Sequence, residues 1–262
     1  MKLFNKVKNF FIKEEKLIKY GWKKDNLDPR DHTFKVTAPV VLPSKVDLTN
    51  QMPAVYDQGQ LGSCTANAIA AAIQFDQMKQ KRSVFNPSRL FIYYNERVLE
   101  NTVHSDSGAQ IRDGIKTVAN QGVCPEVIWP YVINKFANKP SQQAFSLALQ
   151  EKAVSYQKLL SLVDMKSCLA QGYPFVFGFV VYPEFESQQV ATTGIVPMPN
   201  TSEKPLGGHA VLAVGYDDVN KVFIVRNSWG TFWGKSGYFT LPYDYVTNSD
   251  LASDFWTIRT VN

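Results

Sequence analysis

The sequence predicts an α+β body of two segregated lobes, helices first and strands later. From Leu42 to about residue 122, apolar residues recur mainly at helical spacing, whereas after about residue 150 short runs rich in Val, Phe and Ile take over. A third observation points to chemistry: a cysteine, a histidine and an asparagine, Cys64, His209 and Asn227, stand in three separate motifs. The chain of 262 residues is long enough for a core that needs no covalent staples.

The elements follow in order. Leu3, Phe4, Val7, Phe10, Phe11, Leu17 and Ile18 recur at helical spacing with lysines on the other face, predicting an amphipathic helix of about 18 residues ending near Tyr20-Gly21. Its apolar stripe is expected to pack on the body or on a partner, with an anionic membrane surface as the alternative for residues 1–18. The run Leu27-Asp28-Pro29-Arg30-Asp31-His32 is too rich in turn residues for regular helix. Residues 65–73 are alanine-rich and helix-prone, which places Cys64 at a helix N-terminus. Asn86 is expected to cap a second helix with Pro87 in its first turn, burying Leu90, Phe91, Tyr94 and Val98. Ile111, Ile115, Val118 and Ala119 mark a third, stopped by Gly122. Residues 175–181, 210–216 and 222–226 read as strands.

Charge and cysteine usage exclude several classes. Residues 1–24 hold eight lysines against Glu14 and Glu15, so this segment is +6 and the remaining 238 residues sum to −1. A body without excess positive charge is not built for nucleic acid. The lysines interrupt any signal-peptide core, and no stretch approaches the ~18 apolar residues of a membrane span. The expectation is therefore a cytoplasmic protein or one exported by a route other than Sec, and a monomer. Three cysteines make no disulfide framework, and Cys124 and Cys168 read as buried thiols, with pairing as the alternative. Neither a cofactor nor a metal is expected.

The candidate site needs four residue types. Cys64 lies in Gly62-Ser63-Cys64-Thr65, and a helix dipole together with an imidazolium would convert its thiol to a reactive thiolate. His209 follows Gly207-Gly208, and Asn227 opens Asn227-Ser228-Trp229-Gly230. If the intervening strands pair about Asp218, His209 faces Asn227 directly, and the asparagine oxygen can fix the imidazole tautomer while Trp229 shields the bond. Gln58, six residues before Cys64, is suited to hold an oxyanion with the Cys64 backbone N–H. Each residue alone has a bland structural explanation; the conjunction is what is specific.

From about Leu42 onward the chain resembles the papain-like cysteine peptidases, on the motifs around Gln58, Cys64, His209 and Asn227 and on Leu42-Pro43-Ser44-Lys45-Val46-Asp47, which is similar to a mature start. The resemblance implies a two-lobed fold, a helical N-terminal lobe and an antiparallel β-rich C-terminal lobe with the active site between them. It implies Cys64 as nucleophile, His209 as acid/base, Asn227 as orienter and Gln58 as oxyanion donor, acting on a peptide or protein substrate. Gly62, Ser63, Ser107, Gly108, Ala109, Gln110, Gly178, Gly208 and Trp229 are the implied substrate-binding positions. The pocket for the substrate's second residue is expected to be lined by Ala109, Gln110, Gly178 and Gly208; Gly178 makes it roomy, so Phe or Leu is expected there over Val, with an acidic floor near Asp250. Leu61 and Thr65 depart from the family, standing where it has a disulfide cysteine and an aromatic.

The chain is accordingly divided into residues 1–41, a leader, and 42–262, the catalytic domain. A leader this short cannot form its own core, yet its aromatics need burial. It is expected to lie across the cleft as residues 22–35, with Trp22, Arg30, Asp31 and His32 holding it there and Arg30 or Asp31 anchored on the body, so that the enzyme is made autoinhibited. Two alternatives use the same residues: acyl transfer to an amine (transamidation or ligation), and a catalytically idle binding protein.

Overall fold

The computed structural model describes residues 19–35, 41–152 and 155–259. The expected amphipathic helix over residues 1–18 lies outside the described residues.

Three helices form the first lobe: α1 (Cys64–Lys79), α2 (Arg89–Leu99) and α3 (Ile111–Gln121). Helix α1 is buried on every side from Cys64 to Gln77. Its run of alanines explains why: small side chains let neighbouring elements approach from all directions, as in a central core helix. Helix α2 begins later than expected. Its cap is Ser88, whose hydroxyl accepts from the Phe91 N–H at 3.1 Å. Asn86 instead accepts from the Gln74 side chain at 2.6 Å, tying α1 to the loop before α2. Its burial also differs, since Ile92 and Tyr93 are buried while Val98 is exposed and Tyr94 half-buried. Helix α3 stops where expected, because Gly122 takes a φ of 75° that β-carbon-bearing residues adopt at a cost.

The second lobe is a sheet of seven antiparallel-paired strands. We number the strands β1 (Trp22–Lys23), β2 (Lys45–Asp47), β3 (Ala109–Gln110), β4 (Ser155–Lys158), β5 (Phe175–Val181), β6 (Gly207–Asp217), β7 (Val222–Arg226), β8 (Tyr238–Pro242) and β9 (Ala252–Arg259). The sheet runs β4-β9-β5-β6-β7-β8, with β2 also paired to β6. Strand β5 is buried on both faces, which accounts for its unbroken Phe-Val-Phe-Gly-Phe-Val-Val run. The separate pair β1-β3 is parallel and joins the leader to the body. One buried apolar core runs from α1 through both lobes. All three cysteines are free and buried. Among the described residues no helix is long and apolar enough to cross a membrane, and no cluster of side chains could hold a metal ion.

Candidate active site

Cys64 is the first residue of α1 and His209 lies on β6, so the thiol and the imidazole come from the two lobes. The His209 Nε2 lies 2.8 Å from Asn227 Oδ1, which also accepts the Ser228 backbone N–H at 2.8 Å. That second bond identifies the oxygen facing the ring, so Nε2 carries the proton and donates. Nδ1, buried and without a hydrogen-bond partner, is then the basic nitrogen of the neutral ring. Trp229 lies over this pair, its ring centroid 5.0 Å from that of His209.

The strand register differs from expectation. Leu212 pairs with Arg226 and Asp217 with Val222, so the turn is not centred on Asp218. Asp217 closes this turn by accepting the Val219 and Asn220 N–H groups, and a bulge between Ala213 and Gly215 shifts the ladder. One step beyond Arg226, Asn227 falls diagonally from His209 rather than opposite it. A diagonal pair still shares a sheet face, and two polar side chains of this length can span it.

Gln58 is fully buried beside this group. Its backbone N–H donates to Ser228 O at 2.8 Å, and its Oε1 accepts from Ser228 Oγ at 2.6 Å. Both Gln58 amide protons are thereby turned toward acceptors: Nε2 donates to Leu61 O at 2.9 Å and to Lys19 O of the leader at 3.2 Å. Ser228 went unassigned in the sequence, although it sits inside the Asn227-Ser228-Trp229-Gly230 motif. Thr65 turns inward and donates to the buried Glu96 carboxyl at 2.6 Å. Ser63, expected at the substrate, is instead committed to the body, 2.5 Å from Tyr131 Oη and accepting from Asn67.

Residues 19–26, within the segment expected to be a leader, lie against this site, beginning earlier than expected. The segment enters at Lys19, whose ammonium pairs with Asp106 at 2.9 Å. Tyr20 stands against His209 and Trp229 and donates its hydroxyl to Glu186. Gly21 crosses directly over the thiol: a β-carbon there would lie 1.7 Å from Gly62 O. Gly21 O accepts from the Ala109 N–H at 2.7 Å. Gly108 is equally constrained, because a β-carbon on it would lie 2.1 Å from Gly21 O. The Trp22 indole lies on Gly178 and Gly208, where added β-carbons would fall 1.9 and 2.6 Å from its ring atoms. Asn26 N–H donates to the Gln110 side chain at 3.0 Å. Ser107 contributes only its hydroxyl, to Gly108 O at 3.1 Å.

The anchors sort differently from the sequence expectation. Asp31 does bind the body, through the Arg112 guanidinium and Lys158. Arg30, among the described residues, pairs with Asp28 of its own segment. His32 is exposed beside Tyr156, where the leader backbone pairs with Lys158 far along β4, outside the cleft. The acid beside the pocket is Asp254, which accepts the Trp22 indole N–H at 3.1 Å, whereas Asp250 is exposed and its backbone N–H donates to the Asn248 side chain at 2.9 Å. A bulge in β9 turns Asp254 inward, and nothing in the alternation of the sequence marked it.

Burial under the leader sets the electrostatics. The Cys64 thiol is pushed up to about 12 by loss of water, a rise only partly offset by hydrogen bonds from the Ala210 and Gly21 backbones. His209 is pushed down to about 4 by the same burial, and the Asn227 bond only partly opposes this. Covering therefore works against the thiolate–imidazolium pair expected from sequence, since burial disfavours the charged form of both groups. Desolvation outweighs the helix dipole as long as water is excluded.

A thiol at the start of α1 that is hydrogen-bonded by the Ala210 backbone, next to His209 on β6, has the two-lobe arrangement of a thiol-dependent peptidase. Residues 42–257 match the family described as papain family cysteine protease, and the chain belongs to that family. It is a papain-like cysteine protease. It is 47% identical over 270 residues to an uncharacterized peptidase C1-like protein of Acanthamoeba polyphaga mimivirus, covering 92% of this chain and 87% of that one. The crystal structure of xylellain, a cysteine protease from Xylella fastidiosa, superposes with a TM-score of 0.88 at 47% identity, covering 93% of this chain and 96% of that one. Procathepsin L of Mus musculus is 27% identical over 234 residues, which cover 81% of this chain and 64% of that protein.

Proposed function

We propose that the chain is a cysteine endopeptidase in which Cys64 attacks the peptide carbonyl, His209 moves the proton, Asn227 orients the imidazole and Gln58 holds the oxyanion, and that residues 19–25 keep it inactive. The observation that carries this reading is the Lys19 carbonyl, which a Gln58 amide proton reaches at 3.2 Å. That amide proton is the one this reading assigns to the oxyanion of the substrate, and here a leader carbonyl takes it. Once the leader leaves and water re-enters, the desolvation that held both groups neutral is relieved, the helix dipole and the imidazolium favour the thiolate, and proton transfer from Sγ to Nδ1 gives the ion pair. The thiolate adds to the carbonyl carbon, the amine leaves with the proton from His209, and water cleaves the thioester. The leader escapes this reaction because it presents the Gly21 N–H to sulfur, a donor rather than an electrophilic carbon.

Two measurements test the assignment. An epoxide thiol reagent should label the leader-released protein at Cys64 and not label Cys64→Ala, while Gln58→Ala should lower kcat about 10²–10³-fold with little change in labelling. Label on Cys124 or Cys168 instead, or full turnover by Gln58→Ala, refutes it. Peptide cleavage measured with and without an added amine separates hydrolysis from acyl transfer.

The pocket vacated by Trp22 should accept a large aromatic or Leu in preference to Val, since Gly178 and Gly208 leave room for a flat ring. A fluorogenic library varying that substrate position reads this directly. Strong preference for Arg would show that the Asp254 charge dominates over pocket shape.

A further inference from the structure

A carboxylate beside the thiol is held ready for a positive charge, and the hydrolytic chemistry does not use it. Asp106 lies in the loop between α2 and β3, with its side chain 11% exposed. Two body groups fix one of its oxygens: Oδ1 accepts the Gly62 N–H at 3.0 Å and the Tyr93 hydroxyl at 2.5 Å. That hydroxyl also accepts the Gly108 N–H at 3.2 Å, so one short network ties Asp106 to both glycines that flank Gly21. The other oxygen, Oδ2, accepts from the Lys19 ammonium at 2.9 Å. The pair stands at the wall of a hollow of about 460 Å³, to which Gln60, Leu61, Val132, Ile133 and Phe136 also contribute. Among the described residues Asp106 is the one acid in that lining, and most of the wall is apolar. Such a site suits a side chain with a methylene stem and a cationic head.

We propose that Asp106 is a specificity-determining residue, selecting peptides with lysine or arginine at the residue that supplies the scissile carbonyl. This rests on the peptidase reading of the site and names the substrate class that the site prefers. The position follows from the path of the leader. Lys19 is the residue whose carbonyl takes a Gln58 amide proton, and its own side chain reaches Asp106. A substrate residue that brings its carbonyl to Gln58 and Cys64, with its neighbour in the Trp22 pocket, must lie over Gly62. From there the carboxylate is close whichever way the backbone runs. A β-carbon built on Gly62 would fall 3.1 Å from Asp106 Oδ1 and 3.6 Å from Gly21 Cα.

The neighbouring cations are committed elsewhere, which leaves Oδ2 to an incoming one. Arg97 donates to the carbonyls of Tyr93, Val103, Ser105 and Phe136. Lys23, the next cation of the leader, pairs with Glu100 at 2.8 Å. Arg97 still weakens the negative potential at Asp106, and the seated ammonium is half exposed, its side chain retaining 48% of its surface. The gain over an uncharged side chain of the same length is therefore modest, about fivefold.

The test uses the full chain and two peptides identical except for lysine or norleucine at that residue, cleaved in competition in one tube with products resolved by mass spectrometry. Competition returns the ratio of the two kcat/KM values, from which leader occupancy divides out because it slows both peptides equally. The lysine-to-norleucine ratio should be about 5 in the native chain and fall to about 1 in Asp106→Asn, whose amide oxygen can still accept from Gly62 and Tyr93. A merely structural role for Asp106 would slow both peptides and leave the ratio unchanged, which overturns the proposal. Salt gives a second reading that does not depend on the variant folding. Raising the ionic strength from about 0.02 M to about 0.5 M should bring the native ratio toward 1. A ratio near 1 at low salt, or one that salt leaves untouched, overturns the assignment. Cleavage of neither peptide would instead overturn the peptidase reading itself.

Discussion

Cys64→Ala and His209→Ala will each abolish peptide hydrolysis, lowering kcat by on the order of 10⁵–10⁶ while leaving the protein folded. The size follows from the roles. Without sulfur no thioester forms, and without the imidazole the thiol stays protonated and the departing amine receives no proton. Replacement of the buried thiol by a methyl group is small in volume, so thermal unfolding should remain cooperative with a modest shift. Steady-state cleavage of a fluorogenic peptide, alongside thermal melts, checks both parts. Appreciable turnover by Cys64→Ala would remove the basis of the mechanism.

Gly21→Val in the full chain will activate the enzyme, by about 10²-fold in kcat/KM on a small peptide. A β-carbon at position 21 would sit 1.7 Å from Gly62 O, a backbone atom. Gly62 cannot give way easily, because its N–H is held by Asp106 at 3.0 Å and Asp106 is held by Tyr93 at 2.5 Å. The leader must therefore lift. The exposed Lys19–Asp106 pair contributes at most about 1 kcal/mol to holding it. The lifted segment also loses the Trp22 packing and the β1-β3 backbone pairing. A tethered inhibitor acts at an effective concentration near millimolar, which is why its loss is expected to be worth about two orders of magnitude. Rates measured before any N-terminal processing, with N-terminal sequencing as the control, decide the matter. Equal rates for the native chain, Gly21→Val and a chain starting at Leu42 would rule out an inhibitory leader.

Much of the helix and strand content was legible because periodicity is local. Strands over 175–181 and 222–226 coincide with β5 and β7, and Gly122 does end α3. The cap of α2 was misplaced by two residues because Asn86 and Ser88 are both good caps, and only the Gln74 side chain decides which is free to act. The direct pairing of His209 with Asn227 was misjudged because the turn is centred between residues 219 and 220 rather than on Asp218, a shift that the bulge between Ala213 and Gly215 only partly reverses. In the leader, Asp31 was recognised as an anchor, whereas Arg30 and His32 turned out to face their own segment and solvent.

The sequence by itself determined the α+β class, the family, and the candidate residues Gln58, Cys64, His209 and Asn227, because each lies in a short motif whose chemistry needs those side chains. Only the tertiary structure decided that Gly21 covers the thiol, that Asp254 rather than Asp250 borders the pocket, and that Asp25 lies against it. Asp25 and Asp254 are 229 residues apart in the chain. Their proximity and their shared burial depend on how the leader, α3 and β9 pack together, and on a bulge that reverses the facing of one residue. Local pattern carries no record of such long-range packing, and it is packing that excludes water and so disfavours the charged forms of the thiol and the imidazole.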